Sequence, residues 1–399
     1  SYLNSIIFIN NSAVNSNYEI NNYMRIHMTA HIPFKYDFVG SFLRPEAVQN
    51  AKALFKKGLI SKEELTKVEN TEIEKLIAKQ KAAGYHIITD GEYRRAYWHL
   101  DFFWGLNGIE QTELSHGYFF HNEETAKGSI KIVGKISGEN HPFVEHFKFV
   151  NQFSDENHVA KQTFPAPAQL LAELFRKDNI ENTKKFYPNL DELIEDIGAA
   201  YRTVIRELYA AGCRNIQVDD CTWGMFVDEK YWAARQNGNV SLEEEAEKYL
   251  RVNNLAYQDR PEDLALTTHI CRGNYHSTYA CTGAYDPVAP ILFARENVDA
   301  FYLEFDDERS GGFEPLKYVP EDKKVVLGLI TSKRALLEDK EFIKKRIKEA
   351  SKYIPLERLC LSPQCGFASC EIGNKLTDED QWKKLALVKE IATEVFGEA

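Results

Sequence analysis

No run of 18 apolar residues occurs anywhere in the 399-residue chain, so no transmembrane helix is expected. Positive charge is also in short supply. The chain has 49 Lys and Arg against 60 Asp and Glu, and its net charge of -11 argues against a general nucleic-acid or anionic-membrane surface. Cysteine is sparse and odd in number. Seven residues scattered over a long chain fit a reduced, cytoplasmic protein better than a disulfide framework. No G-x-G-x-x-G opens a helix, which weakens the case for a doubly wound dinucleotide-binding sheet. No internal repeat or low-complexity tract follows residue 27.

What is present is an ordinary globular composition, with 44% hydrophobic and 27% charged residues, long enough to bury a large core. Residues 1–27 stand apart. They are rich in Asn, Ile, Ser and Tyr, and they lack the basic start, unbroken apolar stretch and small-residue cleavage site of a secretory signal. The expected reading is a leader, with the natural start near Met28; an N-terminal arm packing on the body is the alternative.

From Met28 to Ala399, short apolar runs alternate with helical patterns. The runs are Phe38-Val39, Ile87-Ile88, Val159 to Thr163, Ile216 to Val218, Leu264 to His269, Ala300 to Glu304, Val325 to Ile330 and Leu359 to Leu361. Their shortness suits strands covered on both faces. Between them, Ser61-Lys62-Glu63-Glu64 reads as a capping box ahead of an apolar stripe of Leu65, Val68, Ile73, Leu76 and Ile77, with Gly84 as the stop. Leu193, Ile194, Ile197, Tyr201, Val204, Ile205 and Leu208 form a second stripe, ended by Gly212. Ser241 and Thr377 look like further helix starts. Eight strand–helix alternations predict an α/β fold, a single (β/α)8 TIM barrel. A long aromatic segment, about residues 94–157, breaks the rhythm after strand two. It reads as an insertion over the barrel mouth, with Lys131 to Ile136 as a strand in a hairpin. Plain packing or a subunit contact is the competing reading.

The polar residues fall where such a barrel builds its sites. Gly40-Ser41 follows strand one, Asp90-Gly91-Glu92 follows strand two, and Asp219-Asp220 ends strand four. His269-Ile270-Cys271 ends strand five, Glu304 ends strand six, and Pro363-Gln364-Cys365-Gly366 follows strand eight. These ends share one rim. Residues i and i+2 of an extended segment face the same side, so His269 and Cys271 can reach one metal. Glu304 and Cys365 complete a set of two sulfurs, one nitrogen and one oxygen that suits Zn2+. Cys360 and Cys370 compete for the last position, with Cys360 expected to pack in its apolar strand. Cys213, Cys221 and Cys281 show no usable spacing.

A free thiol is only a few per cent thiolate at neutral pH, and coordination to zinc deprotonates it. A zinc site with one exchangeable ligand, for which Glu304 is the natural choice, therefore suits thiol alkylation; with bound water it suits hydrolysis. Glu92 and Asp219 are placed to hold a substrate ammonium, and Ser41 to meet a carboxylate. The alternative makes Asp219 and Asp220 a solvated loop pair and pairs Glu92 with Arg94 or Arg95.

The stretches FVGSFLRP, ITDGEYRR, IQVDD, LTTHICRGN, FYLEFDDERSG, VVLGLITSK and LSPQCGFASC carry a resemblance. Together they resemble the catalytic half of cobalamin-independent methionine synthase, over essentially Met28 to Ala399. The nearer likeness is to the short bacterial methionine-synthase-like proteins that consist of that half alone. The resemblance implies a cytoplasmic, zinc-dependent S-methyltransferase of methionine biosynthesis on a TIM barrel. It places zinc on His269, Cys271, Glu304 and Cys365, and homocysteine on Ser41, Glu92 and Asp219, with Glu92 and Asp219 as the catalytic carboxylates. The implied partners are small molecules, homocysteine and a methyl donor such as methyl-tetrahydrofolate, without nucleic acid or membrane; a homo-oligomer is compatible with it.

The chain departs from the family at three points. It is expected to lack the N-terminal barrel that helps hold a polyglutamylated folate. Gln162 to Pro167 offers no stacking indole, and Leu329-Ile330-Thr331-Ser332-Lys333 stands where a proton-donating His is expected. A corrinoid or a methylated sulfur compound is therefore an alternative donor. A zinc hydrolase or lyase, and a binding protein with an idle zinc site, are rival classes.

Overall fold

The computed structural model describes residues 19, 28–114, 116–121, 123–230, 232 and 241–397. The proposed leader, 1–27, lies outside the described residues apart from Glu19.

The apolar runs form strands because helices cover them. In chain order these are β1 (Ile87–Ile88), β2 (Asn107–Glu113), β3 (Phe119–Phe120), β4 (Glu123–Glu124), β5 (Gly128–Ser137), β6 (Val159–Ala160), β7 (Gln162–Pro165), β8 (Asn215–Asp220), β9 (Ala265–Ile270), β10 (Ala300–Glu304), β11 (Lys324–Ile330) and β12 (Leu359–Pro363). β7 to β12 form one six-stranded parallel sheet in sequence order. β1 pairs with β6 in parallel, and β6 is separated from β7 only by Lys161, whose amide donates to Ile88 O at 2.9 Å. The order of the parallel strands therefore follows the order of the chain, as in a barrel.

The first expected strand is corrected. Phe38-Val39 forms no ladder; the pairing falls earlier, as an isolated parallel bridge between Tyr36 and Leu361. The Asp37 carboxylate takes the Phe38 amide at 2.7 Å, which diverts that donor from a sheet. The seam between this segment and β1 is held by Phe42 N to Gly91 O at 3.0 Å and by the Thr89 hydroxyl to Gly40 O at 2.9 Å. The fold is α/β with parallel strands, but the eight-stranded ring is not closed by a continuous ladder.

The helices follow their apolar stripes. Ser61 Oγ accepts from Glu64 N at 3.1 Å and opens helix Lys62–Ala82, which buries Leu65, Ile73, Leu76 and Ile77. Val68 is only half-buried, and Glu69 takes a buried position beside Arg94 at 3.6 Å. Helix Leu190–Ala210 buries the whole predicted stripe. Ser241 and Thr377 cap helices Leu242–Tyr257 and Asp378–Phe396, the latter with a reciprocal capping box.

The aromatic segment contains helix Leu100–Trp104, an antiparallel ribbon of β2 and β5, the small hairpin β3–β4, and helix Pro142–Asn151. The ribbon lies on the flank: Ile136 N donates to Tyr187 OH at 2.9 Å, and Asn182 Nδ2 to Ile132 O at 3.1 Å. The β3–β4 hairpin instead meets the loop after β9, with His121 N on Tyr279 O at 2.7 Å and the Phe120 and Tyr275 rings 5.4 Å apart. No described helix is long and apolar enough to cross a membrane.

Candidate metal centre

β8, β9 and β10 each place alternate residues toward one interior. On β9 and just beyond it, His269 and Cys271 share a face, as their two-residue spacing requires. Cys365 follows β12 in a loop fixed by Gln364 N on Ile330 O at 2.8 Å. The ligand atoms of His269, Cys271 and Cys365 all lie within 4.8 Å of one another, and all three residues are buried. The Cys271 and Cys365 sulfurs are 3.8 Å apart. Two thiolates on a tetrahedral zinc, each at about 2.3 Å, stand about 3.8 Å from each other. Neither ring nitrogen of His269 meets a hydrogen-bond partner, although the ring is 2% exposed. A buried imidazole left unpaired on both sides beside two sulfurs fits a metal ligand better than a packing residue.

Glu304 stands differently. Its carboxylate accepts the Arg272 amide and holds Arg309 at 3.0 Å, and it is outside the mutually close set. Burial and the Cys271 sulfur push its carboxyl up to about 7, against Arg309 and Lys333. The four expected ligands thus resolve into three that converge and one neighbour engaged by Arg309.

Cys221 is a neighbour that spacing could not reveal. The register pairs Asp219 with His269 and Asp220 with Ile270, and Cys271 N continues the ladder onto Asp220 O at 2.9 Å, so Cys221 and Cys271 come side by side. Contacts with Cys221, then Cys365, hold the Cys271 thiol well below the usual thiol range. Cys360 packs in the apolar interior with Tyr302 and Val326, as expected. The Cys370 backbone bridges Tyr97.

The carboxylates lie beside this centre. Gly91 (φ 66°) and Glu92 (φ 62°) are both left-handed, which turns Glu92 inward. Such a backbone is costly for a side-chain-bearing residue and is often found at functional sites. A side chain on Gly91 would also meet Leu76 at 2.4 Å. Glu92 pairs with Arg95 at 3.2 Å and accepts the Thr163 hydroxyl at 3.2 Å, whereas Arg94 goes to Glu69. Burial raises its pKa against the pull of Arg95 and Arg44. Asp219 accepts Gln217 Nε2 at 2.8 Å; burial pushes its carboxyl up to about 7, with His269 opposing and Glu92 reinforcing.

The solvated-pair reading of Asp219 and Asp220 fails, because both are buried. Asp220 orders the next turn by accepting Thr222 N at 2.9 Å and Asn253 Nδ2 at 3.3 Å. Ser41 Oγ accepts Ala368 N at 3.3 Å, and a Cβ on Gly366 would fall 1.8 Å from that oxygen. Glycine after Cys365 therefore lets the Ser41 and Cys365 loops approach.

The family model of the cobalamin-independent synthase catalytic domain matches residues 35–392. The uncharacterized protein YxjG of Bacillus subtilis strain 168 is 42% identical over 366 residues, 91% of this chain and 95% of that protein. A methionine synthase of Saccharolobus solfataricus is 24% identical over 333 residues, 82% of this chain and 86% of its own length. A Listeria monocytogenes crystal structure, described as that of a candidate vitamin-B12-independent methionine synthase, superposes with a TM-score of 0.72 at 40% identity, covering 92% of this chain and 99% of that one. A B12-independent methionine synthase from Shewanella sp. W3-18-1, in complex with selenomethionine, shares the fold at a TM-score of 0.67 and 20% identity, covering 90% and 97% of the two chains. With nearly its whole length matched by that family model, this chain belongs to the cobalamin-independent methionine synthase catalytic-domain family.

Proposed function

We propose that the protein transfers a methyl group to the thiol of homocysteine to form methionine, with a zinc ion held by His269, Cys271 and Cys365. Glu304 is the exchangeable fourth ligand in this reading. The carrying observation is the buried, mutually close ligand trio with an imidazole unpaired at both nitrogens. Bound there, zinc would hold a thiol as thiolate at neutral pH.

The protein's own groups do the rest. Asp219 and Glu92 hold the substrate ammonium. Ser41, whose hydroxyl hydrogen remains available to donate, meets the carboxylate. Together they fix the amino-acid end so that the sulfur faces the His269, Cys271 and Cys365 side chains. Alignment of thiol and methyl group then supplies much of the acceleration. In this reading the β3–β4 hairpin, which meets the loop after β9, would serve to limit water at the site.

The test is methionine formation from homocysteine across folate, methylcobalamin and methylated-sulfur donors. Product from at least one donor, abolished by zinc chelation and restored by zinc, is expected. The lack of an indole in Gln162 to Pro167 and of a His in Leu329 to Lys333 favours a corrinoid or methylated-sulfur donor over folate. Turnover without a thiol acceptor would point instead to a hydrolase or lyase. Zinc and homocysteine binding with no transfer from any donor would indicate an idle site.

A further inference from the structure

Among the described residues three lysines are buried, and one differs from the others. Lys161 and Lys384, 3% and 0% exposed, both have a carboxylate, Asp37 at 3.0 Å and Glu338 at 2.7 Å. Lys333 is 6% exposed and forms no salt bridge among the described residues. Its ammonium donates to a neutral amide oxygen, Asn274 Oδ1, at 3.1 Å. A buried ammonium is costly unless negative charge is near.

Its surroundings are the two cysteine loops. Asn274 comes three residues after Cys271, and its Nδ2 donates to Gly366 O, next to Cys365, and to Ser369 Oγ, each at 2.9 Å. Asn374 Nδ2 also reaches Asn274 Oδ1, at 2.9 Å, and Ser332 O, at 2.9 Å. Ser332 N and Oγ both donate to Gln364 Oε1, at 2.6 and 3.0 Å. Lys333 is thus fastened between the two cysteine loops.

We infer that Lys333 is a positioning residue whose fixed positive charge favours capture of a substrate as thiolate at the His269–Cys271–Cys365 centre. This rests on the function proposed above. When a thiol enters, its S–H bond breaks, the proton leaves to solvent and the sulfur keeps the electron pair. The site gains one negative charge. Of the other nearby cations, Arg309 is committed to Glu304, Asp306 and Asp307, and Arg272 is held through Nε and Nη1 by Gly283 O and Tyr285 OH, with its Nη2 unpaired. A thioether such as methionine has no proton to lose and brings no charge, so Lys333 should distinguish the two sulfur compounds.

The experiment measures homocysteine and methionine affinity by calorimetry on zinc-loaded wild type, Lys333→Met and Lys333→Arg, with zinc content and circular dichroism on each. Lys333→Met should bind homocysteine about tenfold more weakly and methionine within about twofold of wild type, while Lys333→Arg stays close to wild type for both; tenfold is about 1.4 kcal/mol. Equal losses for both ligands, or no loss for either, would overturn the inference. If Lys333→Met does not fold, Asn274→Leu, which removes the tether, should show the same thiol-selective loss, and an equal loss there overturns the inference. Wild type that binds neither ligand would sink the function itself, a result distinct from failure of the lysine assignment.

Discussion

Two buried polar clusters share the same strands two residues apart, and they satisfy their polar groups differently. In the bore, Lys161 donates to Asp37 at 3.0 Å, Phe38 O at 2.5 Å and Gln217 at 2.8 Å, while Tyr302 OH donates to Asp37 at 2.8 Å. Two residues along β8 and β10 lie Asp219 and Glu304, and His269 lies level with Asp219 on β9. There His269 is unpaired at both nitrogens, two sulfurs face each other, and Lys333 has no acid. The first cluster is complete without a ligand and reads as structural. The second leaves polar groups unspent, as a site that receives something must. Gln217 joins them, accepting from Lys161 and donating to Asp219 at 2.8 Å.

Separating the two clusters by mutation tests this difference. The largest effect expected is on metal content. Wild type should carry about one zinc per chain, as three or four ligands in one site imply, and Cys365→Ser should lose most of it while metal-free thermal unfolding stays near wild type. Zinc content unchanged in that variant, by elemental analysis, would remove Cys365 from the centre. In the bore, Lys161→Met strands Asp37 in the interior and should cost about 3–5 kcal/mol in chemical denaturation, with zinc stoichiometry kept in the folded fraction. A loss of metal as complete as that of Cys365→Ser would erase the distinction between the clusters.

Asp219→Asn probes the link between them. It should weaken homocysteine binding by about tenfold, the size expected for a hydrogen bond to a charged group, and affect zinc affinity less. Equal losses would assign Asp219 to structure rather than to substrate. Smallest of all, Cys360→Ala should cost about 1 kcal/mol of stability, as for a small buried truncation, without changing zinc content. Any fall in zinc would revive Cys360 as the competing ligand.

The legible part of this molecule is the part governed by local periodicity. Seven of the eight apolar runs became strands in the parallel sheets, and the helix caps at Ser61, Ser241 and Thr377 formed where side chains could reach nearby amides. Phe38-Val39 failed because the Asp37 side chain claimed the Phe38 amide, a competition that no hydrophobic pattern records. Lys131 to Ile136 was readable as a strand, but its pairing with β2 and its seat against the flank were not, because these depend on partners such as Tyr187 far along the chain.

The amino-acid order by itself fixed the pairing of His269 with Cys271, since a two-residue step on an extended strand points both side chains the same way. It also placed Glu92, Asp219, Glu304 and Cys365 at strand ends, which a parallel barrel gathers on one rim. Only the tertiary structure decided which of these converge. Glu304 turned to Arg309, Cys221 arrived beside Cys271 through strand register, and Lys333 was left between two cysteine loops without an acid. Such outcomes depend on distances between residues far apart in the chain, and those distances are set by packing and hydrogen bonding rather than by any local spacing.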